Sequence, residues 1–205
     1  MQYSANMRDT TLLRQPGLWT TILAAGASTR LGRPKQLVRF NGKTLLKRAI
    51  CSANACTPGR VLVVLGAESL RLRRHLQGGA ATHSLTVNRN WQQGMGSTIS
   101  HAMLKLPPQT CAVLVLLTDQ PKIPIRSIKR LVQTWNKRPH AIIASSYDDT
   151  VGVPAIFPRR HFEALRSLRD DKGARQLLGD RRKVELVPIP EAAFDIDTAQ
   201  DIDRL

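Results

Sequence analysis

Short apolar runs alternate with amphipathic segments along most of the chain. Unbroken apolar runs are typical of strands that are buried on both faces of a parallel sheet. We predict a first strand, three strongly apolar strands and two weaker ones. In that order they are residues 19–24; residues 61–65, 112–117 and 141–144; and residues 84–87 and 153–157.

The segments between these runs have the periodicity of helices that pack one face against a sheet. The predicted helices are residues 44–52, 69–76, 98–105, 125–135, 159–168 and 173–178. Alternating strands and helices indicate an α/β protein with a single doubly wound, mostly parallel sheet flanked by helices. We assign residues 18–205 to this domain and residues 1–17 to an N-terminal extension. Ligands are expected at the carboxyl ends of the strands.

Composition argues against a membrane protein, a disulfide-linked protein and a zinc protein. Hydrophobic residues make up 42% of the chain, and no apolar run approaches the length of about 20 residues that a membrane-spanning helix needs. We therefore predict no membrane association. The three cysteines, Cys51, Cys56 and Cys111, form no CxxC pair and are odd in number. This favours a cytoplasmic protein over a disulfide framework or a zinc site.

The formal net charge of +16 is the most unusual bulk property. A basic surface attracts polyanions, so nucleic-acid binding is one hypothesis. The basic residues are scattered, however, and aromatic residues that could stack on bases make up only 4% of the chain. A protein that handles nucleotides or other small anions fits the charge at least as well, and we expect no nucleic-acid partner.

The first predicted strand leads into the segment LAAGASTRLGRPKQL, residues 23–37. Gly26 and Gly32 permit positive φ and the close approach of another group. Successive small residues leave backbone N–H groups free to bind an anion. Arg30 and Lys35 add a planar guanidinium and a point charge, two complementary ways to hold phosphates. The segment predicts a triphosphate-binding loop; the alternative is an ordinary turn with two solvated cations.

Two other glycine-containing segments are similar to nucleotide-binding motifs but lack essential residues. Residues 41–44 contain the GKT of a P-loop, but Leu37 stands where the first glycine is required. Residues 94–99 begin like a dinucleotide fingerprint, but Ile99 stands where the third glycine is required. The sequence therefore indicates neither a P-loop ATPase nor a standard NAD-binding protein.

Carboxylates occur at two places where a metal could be bound. Asp119 follows the buried run AVLVLL, where Mg²⁺ could be held by a carboxylate together with substrate phosphates; a turn aspartate is the alternative. Thr198 or Asp197 can cap a short final helix, and a bound cation would relieve repulsion among the aspartates there. These aspartates are Asp195, Asp197, Asp201 and Asp203.

Taken together, these segments resemble the MobA-like NTP transferases, whose loop follows the pattern L-A-[AG]-G-x-S-x-R-[ML]-G-x-x-K. Further matching segments follow in order: VNRNWQQGMGSTIS (87–100), LLTDQP (116–121), GVPAIFPRRHFEAL (152–165), DDKGARQLL (170–178) and DIDTAQDI (195–202). The resemblance covers nearly everything after residue 18 and points to the molybdenum cofactor cytidylyltransferases. The family pattern usually has Gly-Asp before Lys172, where this chain has Asp170-Asp171. That departure lies near the implied acceptor site, so it bears on the identity of the acceptor more than on the chemistry.

The resemblance implies a Rossmann-like nucleotidyltransferase fold and Mg²⁺-dependent transfer of CMP from CTP to a molybdopterin-type molybdenum cofactor, with release of pyrophosphate. A molybdoenzyme that accepts the product is an implied partner. Two alternatives stay open. One is nucleotidyl transfer that uses GTP or another phosphorylated acceptor, such as a sugar phosphate. The other is a non-catalytic basic protein that binds nucleic acid or a cofactor.

The resemblance also assigns roles to single residues. Arg30, Lys35 and Asp119 are the implied catalytic residues, and Asp119 and Asp197 are the implied metal ligands. The implied nucleotide-binding residues are Leu23, Ala24, Ala25, Gly26, Arg30, Lys35, Gly94 and Ser97. Ala25 is typical of the cytidylyl branch.

Overall fold

The computed structural model describes residues 17–77, 82–169, 173–179 and 184–205. Residues 1–16 of the predicted N-terminal extension therefore lie outside the described residues. So does the segment 170–172, which carries the departure from the family pattern.

Strands and helices alternate along the described chain as the apolar runs predicted. The strands are β1 (Leu18–Ala24), β2 (Arg39–Phe40), β3 (Lys43–Thr44), β4 (Val61–Leu65), β5 (Ser84–Val87), β6 (Ala112–Leu117), β7 (Ile142–Tyr147), β8 (Thr150–Pro158) and β9 (Val184–Pro188). The helices are α1 (Leu45–Cys56), α2 (Ser69–Leu76), α3 (Met95–Lys105), α4 (Ile125–Lys137), α5 (Phe162–Arg166), α6 (Arg175–Leu178) and α7 (Ala199–Asp203).

Seven strands form one sheet in the order β5-β4-β1-β6-β8-β7-β9. Strand β8 runs antiparallel to both of its neighbours, and every other adjacent pair in this sheet is parallel. The prediction of a doubly wound, mostly parallel sheet is confirmed. Strands β2 and β3 form a separate two-stranded hairpin.

Helices cover both faces of the sheet, because side chains of successive strand residues point to opposite faces. On one face, Ile22 and Leu114 belong to a core cluster that includes Leu46 of α1, Leu72 of α2 and Leu131 of α4. On the other face, neighbouring strand residues pack against α3 and α5; they include Leu23, Val64 and Val115. The central strands are thus buried on both sides, as their unbroken apolar runs indicated.

Two predicted helices are shorter in the structure. The prediction for residues 159–168 is replaced by a 3-10 turn, Arg159–His161, followed by α5. The backbone N–H of Arg159 still bonds to the carbonyl of Cys111 and so continues the strand pairing. Helix α6 begins only at Arg175, because Gly173 has a φ of +57° and is not helical.

The segment that is similar to a P-loop is a hairpin turn. Asn41 and Gly42 have φ values of 48° and 77° between β2 and β3. Thr44 closes the hairpin and accepts a hydrogen bond from the backbone N–H of Lys47, so it caps α1. These residues therefore serve the hairpin and the helix start.

The thiols of Cys51, Cys56 and Cys111 are free. Among the described residues, no helix combines the length and the apolar character that crossing a bilayer requires.

Candidate active site

A cleft of about 540 Å³ opens at the carboxyl ends of β1 and β6. Strand β1 lies between β4 and β6, so the chain order reverses here, and ligands of doubly wound sheets bind at such points. Three segments line the cleft: the loop after β1, the turn that leads into α3, and the end of β6. The lining residues are Leu23 to Arg30, Lys35, Gln36, Trp91, Gln92, Gly94, Met95, Thr98 and Leu117 to Asp119.

Seven of the eight predicted nucleotide-binding residues line this cleft. They are Leu23, Ala24, Ala25, Gly26, Arg30, Lys35 and Gly94. The eighth, Ser97, lies behind the lining and is only 6% exposed. Its Oγ lies 2.9 Å from the carbonyl oxygens of both Asn90 and Gly94, within donating distance. Ser97 therefore supports the turn that carries Gly94, and its contact with a ligand would be indirect.

The loop after β1 is held in place by its own side chains. The backbone N–H of Lys35 donates to Ser28 Oγ at 3.0 Å. Gln36, which is 1% exposed, donates from Nε2 to the carbonyl oxygens of Ala24 and Gly26. Gln36 thus links the far end of the loop to the end of β1. The sequence analysis assigned it no role.

One expectation about the loop backbone is corrected. Gly32 has the expected positive φ, +71°, but Gly26 does not. Ser28, with a φ of 56°, makes the left-handed turn near Gly26. A methyl group at Gly26 would meet nothing within 4 Å. A side chain at position 26 would therefore extend into open space, and glycine keeps that part of the cleft free.

Four charged side chains meet beside the cleft. Lys35 Nζ lies 2.6 Å from Asp119 Oδ2 and 2.9 Å from Asp197 Oδ1. The guanidinium of Arg30 lies 2.7 Å from Asp197 Oδ2. Two predicted phosphate ligands and two predicted metal ligands therefore form a single network whose formal charges cancel. The Arg30 side chain is 72% exposed, so its ion pair contributes little to stability.

Lys35 is the central cation of this network, and its side chain is only 16% exposed. Burial lowers the pKa of Lys35. The charges of Asp119 and Asp197, and the hydrogen bonds to them, outweigh burial, so the pKa stands above its ordinary value of 10.5. Lys35 therefore carries a full positive charge at neutral pH.

Asp119 and Asp197 are brought together by the return of the chain to the end of β6. The backbone N–H of Ile196 donates to the carbonyl oxygen of Asp119 at 2.9 Å. Asp119 Oδ1 is buried and has no hydrogen-bond partner in the structure. Buried carboxylate oxygens normally have partners, so this atom suits a ligand or a metal ion.

The carboxylate donors of the site suit a hard divalent cation. No group of three or more His, Cys, Asp or Glu side chains suited to a metal occurs in the described ranges. Mg²⁺ commonly binds to one or two carboxylates and completes its coordination with water and substrate phosphates. Asp119 and Asp197 provide such a pair.

The other C-terminal aspartates have different roles. Asp201 accepts hydrogen bonds from the backbone N–H and the hydroxyl of Thr198, both at 2.8 Å, which confirms the predicted cap of α7. Partial burial raises the pKa of Asp195, and the charges of Asp119 and Asp197 raise it further. Asp195 is therefore affected by the site, although it makes no ion pair in the described chain.

The structure adds lining residues that the sequence analysis did not assign. Trp91, Gln92, Met95 and Thr98 also line the cleft. All four lie in the segment VNRNWQQGMGSTIS, which was noted only for Gly94 and Ser97. A tryptophan within an otherwise polar segment was the available signal.

Comparisons with known proteins identify similar chains. Residues 20–185 match the model of the MobA-like NTP transferase domain. Nicotine blue oxidoreductase from Paenarthrobacter nicotinovorans is 30% identical, over 97% of this chain and 97% of its own length.

Among solved structures, Rv0371c from Mycobacterium tuberculosis H37Rv is 26% identical with a TM-score of 0.79, over 92% of this chain and 96% of that one. Its complex with manganese is similar, with 25% identity, a TM-score of 0.76 and coverage of 92% and 97%. Molybdopterin-guanine dinucleotide biosynthesis protein A from Archaeoglobus fulgidus shares the fold, with 16% identity, a TM-score of 0.65 and coverage of 90% and 95%.

Proposed function

Since this chain belongs to the MobA-like NTP transferase family, we propose that it transfers CMP from CTP to a molybdopterin-type molybdenum cofactor and releases pyrophosphate. One observation carries the proposal. A glycine-containing loop, two cations and two carboxylates meet at a cleft large enough for a nucleotide. Ala25, which lines the cleft, supports CTP because it resembles the cytidylyl branch.

In the proposed reaction, an oxygen of the acceptor phosphate forms a bond to the α-phosphorus of CTP. The bond from that phosphorus to the bridging oxygen breaks, and pyrophosphate leaves with its electron pair. The acceptor phosphate is already ionised, so no general base is needed. The main barrier is the approach of one anion to another, and positioning and charge cancellation would supply most of the rate. Arg30 and Lys35 lie where they can stabilise the leaving pyrophosphate.

Asp119 and Asp197 would hold the divalent cation, which supplies charge neutralisation at the phosphate oxygens. The manganese complex of the Mycobacterium protein supports a metal in this family. Lys35 now contacts both carboxylates. A divalent cation held by the same two carboxylates would compete with these contacts, and the ammonium group of Lys35 would then be available to the phosphates.

The pyrophosphate released from each of the four NTPs, with and without molybdenum cofactor, tests the proposal. We expect release from CTP only when the cofactor is present. Release that requires GTP, or a sugar phosphate, would keep the transferase and change the substrate. A molybdoenzyme that takes up the product, and a cytoplasmic location, belong to the same proposal.

A second candidate is oxidoreduction, because a relative with 30% identity over nearly the whole chain is named an oxidoreductase. This reaction needs a bound reduced nicotinamide or another electron donor. The same preparation can be assayed for oxidation of NADH or NADPH with a quinoid dye as acceptor. Dye-dependent oxidation without any pyrophosphate release from NTPs would favour it over nucleotidyl transfer.

A further inference from the structure

The residues that line the cleft include the proposed phosphate ligands Arg30 and Lys35 and the proposed metal ligand Asp119. This inference rests on the proposed function, under which the same cleft also has to accommodate the nucleoside. The segment before and within α3 contributes Trp91, Gln92, Met95 and Thr98 to its lining. Trp91 is the only aromatic residue among the described residues that line the cleft.

Hydrogen bonds within its own segment hold Trp91 in position. It begins the 3-10 turn Trp91–Gln93, between β5 and α3. Before the turn, the backbone N–H of Asn90 donates to Asn88 Oδ1 at 3.0 Å. After it, the backbone N–H of Gly94 donates to the carbonyl of Trp91 at 3.0 Å. The backbone that carries the ring is therefore fixed on both sides without a ligand.

Close packing also places Trp91 beside the end of β1. A methyl group at Gly66 would lie 2.8 Å from Trp91 Cβ and 2.5 Å from the carbonyl oxygen of Ala25. Both distances are too short for a real contact, so glycine at position 66 allows the three segments to meet. The Cβ atom of Trp91 therefore lies close to the start of the loop that is proposed to hold the phosphates.

The indole is partly exposed, and Met95 beside it is 39% exposed. Every nucleobase has a flat π-face, so an aromatic ring can stack on each of them with little preference. We propose that the nucleobase stacks on the indole of Trp91, with Met95 at its side, and that this contact gives affinity without selecting the base. Base selection then falls to polar groups such as the amide of Gln92.

Binding of CTP, GTP and inorganic tripolyphosphate, each with Mg²⁺, tests this role by calorimetry. Trp91→Ala should lower the affinity for CTP and for GTP equally, by about tenfold to a hundredfold. This loss corresponds to one stacked base. Tripolyphosphate should bind as it does to the wild type. Trp91→Phe keeps a stacking surface and should retain most of the nucleotide affinity.

Fluorescence gives a second measurement. Nucleotide should change the emission of the wild type and of Trp19→Phe, but not that of Trp91→Phe. Trp19 is a suitable control because it packs against the core cluster beneath α3.

Three results would overturn the inference. One is unchanged CTP affinity in Trp91→Ala, and another is an equal loss for tripolyphosphate, which would mean that Trp91 only supports the fold. The third is a wild type that binds tripolyphosphate as tightly as CTP. This third result would leave the phosphate site intact, whereas a wild type that binds neither compound would contradict the proposed function as well.

Discussion

At the scale of a single residue, Lys35 has opposite expected effects on the two ligands of the site: it hinders a metal ion and favours a phosphate. Its ammonium group occupies the space between Asp119 and Asp197, at 2.6 and 2.9 Å from their oxygens. It therefore competes with any metal ion for the same carboxylates. At the same time, it is a partly buried cation that we propose as a phosphate ligand. A neutral residue at this position should separate the two effects.

We expect Lys35→Met to bind Mn²⁺ more tightly than the wild type when no nucleotide is present, by about tenfold, because two neighbouring carboxylates lose their internal counter-ion. The same variant should bind CTP with metal more weakly. Titration with Mn²⁺, followed by electron paramagnetic resonance, measures the first effect, and calorimetry the second.

Lys43→Met is the matched control, because Lys43 is exposed and its ammonium group lies near Cys51 Sγ, outside the charge network of the site. It should leave both affinities unchanged. A weaker Mn²⁺ affinity in Lys35→Met would mean that the carboxylates do not form the metal site.

Asp195 gives a prediction about pH. Its pKa is raised above the ordinary value of 3.8, first by burial and then by Asp119 and Asp197. The folded state therefore favours the protonated acid, and ionisation of Asp195 destabilises the fold as the pH rises through the raised pKa. Asp195→Asn should raise the melting temperature at pH 7, and this gain should disappear below about pH 3.8.

Thermal unfolding of Asp195→Asn and the wild type across this pH range provides the measurement. Asp203→Asn is the control, because Asp203 is exposed and makes no ion pair in the described residues. An equal gain at all pH values would rule out the electrostatic explanation.

Each charged residue of the site could be predicted from the sequence, but the ion pairs between these residues could not. Arg30 and Lys35 were predicted from their place in a glycine-containing loop, and Asp119 from its place after an apolar strand. The ion pair from Lys35 to Asp197 joins residues that are 162 positions apart. Nothing local in the sequence indicates that phosphate ligands and metal ligands would neutralise one another.

At the scale of elements, one buried amide makes two of the hydrogen bonds that hold the loop after β1. Gln36 Nε2 lies 3.3 Å from the carbonyl oxygen of Ala24 and 3.0 Å from that of Gly26. Gln36→Ala removes both hydrogen bonds. It should lower the free energy of unfolding by about 1–3 kcal/mol, and it should weaken nucleotide binding because Lys35 precedes Gln36 directly.

Chemical denaturation and CTP titration of Gln36→Ala check this prediction. Gln77→Ala, in an exposed position at the end of α2, should change neither quantity. If Gln36→Ala kept both wild-type values, the loop would be held by other contacts.

The elements that the sequence predicted well are those with strong apolar runs. The boundaries of β4, β5 and β6 agree with the prediction, and β1 extends one residue further. Strand β9 was not predicted, because its sequence VELVP mixes a charge and a proline with only three valines and leucines.

The antiparallel orientation of β8 was also not predicted. The turn that connects it to β7 consists of Asp148 and Asp149, with φ values of 42° and 56°. Two residues with positive φ between strands form the usual tight hairpin, but Asn-Gly or Asp-Gly is the recognisable signal. The Asp-Asp pair does not give that signal, so the sequence did not indicate a hairpin between β7 and β8.

At the scale of the whole molecule, charge is distributed very unevenly. Residues 17–147 contain nineteen lysines and arginines but only two acidic residues, Glu68 and Asp119. Asp119 is already paired with Lys35. The cleft therefore opens on a part of the chain with a large excess of positive charge, which should attract a nucleotide from solution.

Arg33 and Arg71 line a small groove next to the loop, so they are suited to test this attraction. Arg33→Glu with Arg71→Glu should slow CTP association by about tenfold at low salt, with little change in dissociation. The difference from the wild type should shrink as salt is added, since the Debye length falls to about 3 Å at 1 M. Stopped-flow mixing with a fluorescent CTP analogue measures both rates.

Lys137→Glu is the control, because Lys137 is exposed at the end of α4. The chain passes from there to the start of β7, which is parallel to β6. Lys137 therefore lies towards the amino ends of these strands, whereas the cleft opens at the carboxyl ends. This variant should associate almost as fast as the wild type. Lys137→Glu changes the net charge by half as much as the double variant, so a slowing by about half as much on a logarithmic scale would indicate an effect of net charge alone.

The bond from Ile196 to Asp119 has a consequence for how the protein is made. The ribosome would deliver the loop with Arg30 and Lys35 first, Asp119 later, and Asp197 last of the four residues. Until Asp197 has emerged from the exit tunnel, Arg30 lacks the carboxylate it pairs with in the finished fold. A nascent chain therefore cannot complete this network before Asp197 has emerged, and nucleotide turnover has to wait for that residue.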